Sequence, residues 1–269
     1  MNAGANTSEA GSYAFDGFTE DELTRLNNQA EATWKFEHDY LVWSGINKGD
    51  KVLDVGCGSG IISRYLSNTV GPEGKVVGID INETLINKAK SLDINNGSFF
   101  KMSGYSISGF DEYFDFAYVR LVLQHAENPL KMISEIKKKL KPGGKICILD
   151  SDESTLHVDP EPHGFQDILL ETQKLQSHLG GNRKIGRLLE KYLKQDGFID
   201  LEAKIFLITP QTAGIDYFLD TILSWRPQLY PENQRPCASS KIENMKNFLR
   251  ENIMIGYNGS FVVKGKKAE

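Results

Sequence analysis

Hydrophobic residues recur at helical spacing from about Thr19, where Leu23, Leu26 and Ala30 follow a threonine cap with Glu22 three residues on. The pattern predicts a first helix from there, a second through Trp34 to Trp43, and a turn at Asn47-Lys48-Gly49-Asp50. The period then shortens. Runs rich in β-branched residues at 51–55, 75–79, 98–102, 114–119 and 145–149 predict five strands, separated by helical segments that include 60–67, 83–90 and 129–140. In the last of these Asn128 caps, Pro129 opens the first turn, and Leu130, Ile133, Ile136 and Leu140 share a stripe. Strands alternating with helices predict a doubly wound, mostly parallel α/β fold. Runs such as Val76-Val77-Gly78-Ile79 suit strands covered on both faces.

After Asp150 the alternation is interrupted. A turn at Asp159-Pro160-Glu161-Pro162 leads to a helical stretch from Phe165 to Leu179, and a further helix from Ile185 to Gln195 precedes a strand at 203–208. The segment 214–252 reads as helical at both ends with a proline-rich middle, and 260–264 as a last strand. We expect residues 1–18 to form a flexible N-terminal segment and 19–269 a single domain, with 19–46 as a helical cover. Segments 151–182 and 211–252 read as additions to the sheet, neither having enough apolar periodicity for its own core.

Composition changes this picture little. The 269 residues are 40% hydrophobic and 25% charged, which excludes a disordered chain. The net charge of -5 is local: Glu9, Asp16, Glu20, Asp21 and Glu22 fall in a stretch without Lys or Arg, and the remainder balances. That balance argues against a nucleic-acid partner, which needs clustered cations. Three scattered cysteines, Cys57, Cys147 and Cys237, form neither a disulfide framework nor a metal-ligand spacing, so no metal is expected. With no leader-like start and no long apolar run, a soluble, cytoplasmic protein with no membrane partner is expected.

The chemistry concentrates at Val52-Leu53-Asp54-Val55-Gly56-Cys57-Gly58-Ser59-Gly60, a strand running into a glycine loop and then a helix. Ligands of open α/β sheets bind at the carboxyl ends of strands, where such a loop lets the backbone approach them. The second strand ends in Asp80, where an acid suits ribose hydroxyls. The dinucleotide pattern wants glycine where Ile61 stands, and Asp54 would repel a phosphate. A ligand carrying a ribose and a cationic ammonium or sulfonium end satisfies both acids.

These motifs resemble the class I S-adenosylmethionine-dependent methyltransferases. LDVGCGSG is similar to their first motif, VVGID to their second, FDFAYVRLVLQHAENP to that of the fourth strand and LKPGGKICILD to that of the fifth. The branch most similar is that of the ubiquinone and menaquinone biosynthesis methyltransferases, which act on small molecules. The resemblance implies a Rossmann-like sheet of seven strands with the last antiparallel, S-adenosyl-L-methionine as cofactor and S-adenosyl-L-homocysteine as product. It implies that Asp54, Gly56 and Gly58 line the methionine part of the cofactor, that Asp80 binds the ribose and that Ile81 packs on adenine. It further implies that Arg120 and Leu121 offer backbone carbonyls to the amino group. Where many relatives carry a Gly-Asp pair for adenine, this chain has Ser103-Gly104. Tyr13, Phe18 and the Arg25-Leu26-Asn27-Asn28-Gln29 run look similar to a segment that folds over the cofactor.

His125 and Asp152 are the candidate catalytic residues; His125 has a competing reading as a brace for the loop before Pro129, and Asp152, like Asp150 placed to touch substrate, has one as a helix cap or hydrogen-bond acceptor. His157 and His163 read as surface-loop histidines, and the lysines at 137–139 and 141 as solvated complements of a helix dipole. The expected activity is methyl transfer to a small organic O-, N- or C-acceptor in secondary metabolism, by a monomer or homodimer. Two alternatives are a family member using the cofactor's charge for a decarboxylation, cyclisation or rearrangement, and a non-catalytic cofactor-binding protein.

Overall fold

The computed structural model describes residues 20–111 and 113–269. Five parallel strands, β1 (Lys51–Val55), β2 (Lys75–Asp80), β3 (Gly97–Lys101), β4 (Phe114–Arg120) and β5 (Leu140–Ser151), stand in the order β3-β2-β1-β4-β5. The reversal of strand order on either side of β1 opens a crevice at the carboxyl ends of β1 and β4. The last strand, β8 (Ile255–Lys267), runs antiparallel beside β5 and pairs on its other edge with β7 (Phe198–Ile208). A short eighth strand, β6 (His157–Asp159), pairs with the start of β8 and adds one strand to the seven expected.

Both faces of the sheet are covered, and the strand period of two decides which residue goes where. Leu53, Val55, Val77 and Ile79 face α4 (Pro129–Lys139), which contributes Ile133 and Ile136. On the other face Val52, Val76, Phe116 and Tyr118 meet α1 (Glu20–Ser44) and α2 (Ile61–Val70) through Leu41, Ile62 and Leu66. Between β2 and β3 lies α3 (Glu83–Ser91). The first four predicted strands and these crossover helices are found within a few residues of their expected bounds, whereas β5, β7 and β8 begin at Leu140, Phe198 and Ile255, ahead of the expected 145, 203 and 260.

Two expectations are corrected, and one feature of the additions is new. The two helices of the N-terminal cover are one helix, α1, because Glu31-Ala32-Thr33 contains no breaker; it ends where Gly45 takes a φ of 87°. The predicted helix 185–195 begins with a 3-10 turn at Gly186–Leu188 before α6 (Leu189–Gln195). Most important, the additions 151–182 and 211–252 make an apolar core jointly. Phe165, Ile168 and Leu169 of α5 (Phe165–His178) pack with Phe218, Leu219, Ile222 and Leu223, and with Ile242, Met245 and Leu249 of a C-terminal helix. The intervening helices are α7 (Pro210–Ala213), α8 (Ile215–Leu219) and that C-terminal helix, α9 (Arg235–Asn252). Each segment has only one apolar stripe, and a stripe becomes a core when another covers it. Among the described residues no helix is long and apolar enough to cross a membrane.

A buried cation stitches this second core to the end of β5. Arg226 donates through Nε to the Ile222 carbonyl at 2.6 Å, through Nη1 to Thr172 Oγ1 and through Nη2 to Glu153 Oε1. Both members of the Arg226–Glu153 pair are almost fully buried. Removing one partner of such a pair strands the other charge, at a cost of about 3–5 kcal/mol. Arg226→Ala is therefore expected to destabilise the protein by about that amount in urea unfolding, and a midpoint equal to wild type would show the pair to be dispensable.

Candidate active site

At the carboxyl ends of β1, β2 and β4 the chain encloses a cavity of about 280 Å³. Its floor is the glycine loop after β1. Gly56 and Cys57 donate their N–H groups to the Ile79 carbonyl at 2.8 and 3.0 Å, locking the loop to β2. Gly56 has a φ of 70°, and a Cβ there would fall 2.4 Å from Val122 Cγ2, so no larger residue fits. Gly58, with φ 55°, faces open space instead. The loop presents bare backbone to the cavity at the place where a ligand would lie.

Two buried acids flank it. Asp80 Oδ2 accepts the Gly58 N–H at 3.0 Å and Oδ1 the Asn82 N–H at 2.8 Å, which fixes the carboxylate at the tip of β2. Each oxygen keeps a further lone pair for a hydroxyl. Burial raises its pKa above the usual carboxylate value. Asp54 is 2% exposed and accepts the Ser63 hydroxyl at 2.5 Å; burial pushes its pKa up to about 6. Ile81, Leu85, Met102, Ser103 and Gly104 line the end of the cavity beyond Asp80. Ser103 Oγ already accepts the Tyr105 N–H at 3.2 Å, so it closes a local turn.

At the end of β4, Leu121 adopts a φ of 55°, a conformation costly for a branched side chain and found where surroundings enforce it. Its N–H donates to the Leu149 carbonyl, and its own carbonyl accepts Gln124 Nε2 at 3.2 Å. The Arg120 side chain turns to α1: Nε donates to both Glu37 oxygens at 2.8 and 3.0 Å, and Nη2 to Thr33 Oγ1 at 2.9 Å. Arg25, Leu26 and Gln29 of α1 also line the cavity. Tyr13 and Phe18 lie outside the described residues.

The two catalytic candidates fare differently. His125 lines the cavity in a 3-10 turn at Leu123–His125, with Nδ1 3.3 Å from Gln176 Nε2. Burial and the nearby Arg183 lower its pKa to about 3, so it is neutral at physiological pH and a weak base. Asp152 does not line the cavity. It is fully buried, caps the turn at Ser154 and binds Arg187 through both oxygens, at 2.5 and 3.0 Å; this corrects its reading as a group touching substrate. Asp150 is likewise buried, accepting the N–H groups of Gln124 and Ser151. His157 and His163 lie off the cavity on the exposed side of the second core. Among the described residues no group of three or more His, Cys, Asp or Glu is placed to hold a metal.

Pattern reading missed Glu37, Gln176, Arg183, Tyr217 and Asn258, all of which line the cavity except that only their side-chain partners reveal why. They come from α1, the two additions, the turn at residue 183 and β8, and no motif marks them.

The fold and site define a class. A family model described as a methyltransferase domain matches residues 46–195, more than half of the chain, so the protein belongs to that family, in keeping with its resemblance to class I S-adenosylmethionine-dependent methyltransferases. Among curated proteins, an uncharacterized methyltransferase of Schizosaccharomyces pombe is 34% identical over 154 residues, 54% of this chain and 55% of its own. The demethylmenaquinone methyltransferase of Staphylococcus aureus is 34% identical over 116 residues, 42% of this chain and 48% of its own. The chain thus matches about half the length of these relatives. The Haemonchus contortus phosphoethanolamine N-methyltransferase 2, solved with phosphomonomethylethanolamine and S-adenosylhomocysteine, shares the fold with a TM-score of 0.60 at 19% identity, over 93% of this chain and 58% of that one.

Asp54 offers a thermodynamic test of the site. Its folded pKa of about 6 lies above the unfolded 3.8, so the native state holds the proton more tightly and stability falls as pH rises between those values. The ionised carboxylate then costs up to about 3 kcal/mol above pH 6. Asp54→Asn, measured without ligand, should be more stable than wild type at pH 8 by up to that amount, with the gap closing below pH 4. A pH-independent difference would place the strain elsewhere.

Proposed function

We propose that this protein transfers a methyl group from S-adenosyl-L-methionine to a small organic acceptor. The observation that carries the reading is the pair of buried acids, Asp54 and Asp80, set around a glycine loop whose Gly58 faces open space. Those residues fit the cofactor. Asp80 would accept the ribose hydroxyls, Asp54 would favour the cationic methionine end, Gly56 and Gly58 would let it approach, and the Arg120 and Leu121 carbonyls would receive its ammonium group. Ile81 would pack on adenine, with Ser103 and Gly104 beside it. When bound, the cofactor supplies an electrophilic methyl carbon on a sulfonium leaving group.

The chain's own contribution is alignment in a closed space. Helix α1 covers one side and the joint core of 151–182 and 211–252 the other, which suits an enclosed small acceptor better than a nucleic acid. We read 19–269 as one catalytic unit of this kind, acting as a monomer or homodimer. His125 is held neutral by burial and bound to Gln176, so bracing fits it better than proton abstraction. An acceptor that attacks without first losing a proton, such as an amine or an oxyanion, needs no stronger base.

Turnover is checked by incubating the protein with S-adenosyl-L-methionine and panels of small acceptors and assaying S-adenosylhomocysteine; product without it would overturn methyl transfer. Asp80→Ala removes two charge-assisted hydrogen bonds, each worth about 1.5–3 kcal/mol, and should weaken S-adenosylhomocysteine binding in calorimetry by well over tenfold. Unchanged affinity would refute the placement of the ribose.

A further inference from the structure

The cavity has two electrostatic halves. The acids Asp54 and Asp80 stand at the ends of β1 and β2, whereas the far half is bounded by Gln124 after β4, Ser151 at the end of β5, Asn258 and Ser260 of β8, Arg183 in the turn that follows the first addition, and Trp225 of the second. Arg183 contacts groups beyond β5, three strand spacings from β2, or roughly 15 Å.

Arg183 is a cation without a full partner. Its side chain is 11% exposed, and among the described residues the one carboxylate within 4.0 Å of it is Glu153. The facing oxygen of Glu153, Oε1, is the one that Arg226 Nη2 takes. Arg183 Nη1 donates to the neutral Gln124 Oε1 at 2.6 Å, its plane lies 3.8 Å over the Trp225 ring, and its Nε has no hydrogen-bond partner. Two guanidinium groups thus share one carboxylate. The other nearby carboxylates are engaged: Asp152 by Arg187, and Asp150 by the N–H groups of Gln124 and Ser151. Burial lowers the pKa of Arg183 to about 10, which leaves it charged at neutral pH. His125, neutral beside it, adds no charge of either sign.

Two acceptor atoms in the same half are also unsatisfied. Gln176 Oε1 and Asn258 Oδ1 are buried without a hydrogen-bond partner. Leaving buried polar groups unpaired is costly, and such groups are usually completed by a ligand or ordered water. Apolar side chains, including Phe206, Ile208, Trp225 and Leu229, make up part of the remaining wall.

We infer that the acceptor is a small organic acid, whose anionic oxygen group pairs with Arg183 and whose hydrogen-bond donors meet Gln176 and Asn258, with an apolar body against Phe206 and Leu229. The inference rests on the methyltransferase reading in taking the far half of the cavity as the acceptor's. Carboxylate and phosphate both satisfy a guanidinium fork, and the test separates them.

Benzoate, phenyl phosphate, benzamide and benzylammonium are titrated into the full-length protein by calorimetry, with and without S-adenosylhomocysteine. At least one acid is expected to bind about tenfold or more tighter than benzamide, with no measurable binding of benzylammonium once S-adenosylhomocysteine fills the acidic half. Preference for benzoate assigns a carboxylate, and preference for phenyl phosphate assigns a phosphate. In Arg183→Gln, shown folded by its melting curve, the advantage over benzamide should vanish while S-adenosylhomocysteine affinity stays within about threefold of wild type. Equal binding of acid and amide by the wild-type protein, or no binding of either acid at millimolar concentration, overturns the inference without need of the variant. So does a folded Arg183→Gln that keeps the preference. A large loss of S-adenosylhomocysteine affinity in the variant would assign Arg183 to the cofactor's own carboxylate and also overturn it. Failure of the wild-type protein to bind S-adenosylhomocysteine would instead count against the methyltransferase reading, and the acid titrations without it still decide the charge preference.

Discussion

The ion pair between Glu37 and Arg120 holds the site together. Glu37 is 1% exposed on α1 and Arg120 sits at the carboxyl end of β4, so the pair ties the N-terminal helix across the crevice where strand order reverses. Tyr118 Oη donates to the same carboxylate at 3.2 Å, and Arg120 reaches Thr33 as well. A charge pair taken this far from water persists only when its remaining donors and acceptors are met. Here both strand and helix supply them. The arrangement places Arg25, Leu26 and Gln29 over the glycine loop, and Tyr217 closes the seam by donating to the Gln29 carbonyl at 3.3 Å.

A second constraint operates on the opposite wall. Segments 151–182 and 211–252 are each too sparse in apolar residues to fold alone, and together they bury Phe165, Phe218, Leu219 and Leu223 in a core of their own. Arg226 and Glu153 then anchor that core to the sheet. The two walls differ in chemistry because they serve different ends of the cavity. Acids gather at β1 and β2, and an incompletely paired guanidinium lies beyond β5, so one cavity differs in charge from one end to the other.

Most of the parallel sheet was legible because each of its strands is short, β-rich and bounded by turn residues, and because α4 carries its cap, proline and stripe in order. The pattern predicts the helical cover in two pieces although no breaker stands between Ala30 and Trp34; in the fold Ala30 and Leu41 of the one helix enter the same core on the sheet. Asp54, Gly56, Gly58 and Asp80 were legible since a strand, a glycine loop and a strand-end acid are contiguous features. Asp152 is ambiguous in the sequence for the opposite reason. An acid after a strand serves equally as a cap, and only Arg187, brought by the 3-10 turn before α6, shows which role this one has.

What the sequence by itself determined was the order of elements and the half of the cavity built from β1, β2 and the loop between them, because those groups are neighbours along the chain and backbone geometry alone sets their spacing. Only the tertiary structure decided the other half. Glu37, Gln124, Gln176, Arg183, Trp225 and Asn258 come from six separate stretches, and each is polar or aromatic in a way that suits a surface as well as a site. Their meaning depends on which carboxylate faces which guanidinium at a few ångströms. That is fixed by the packing of distant segments against one another, since burial there determines which charges are paired and which are left for a ligand.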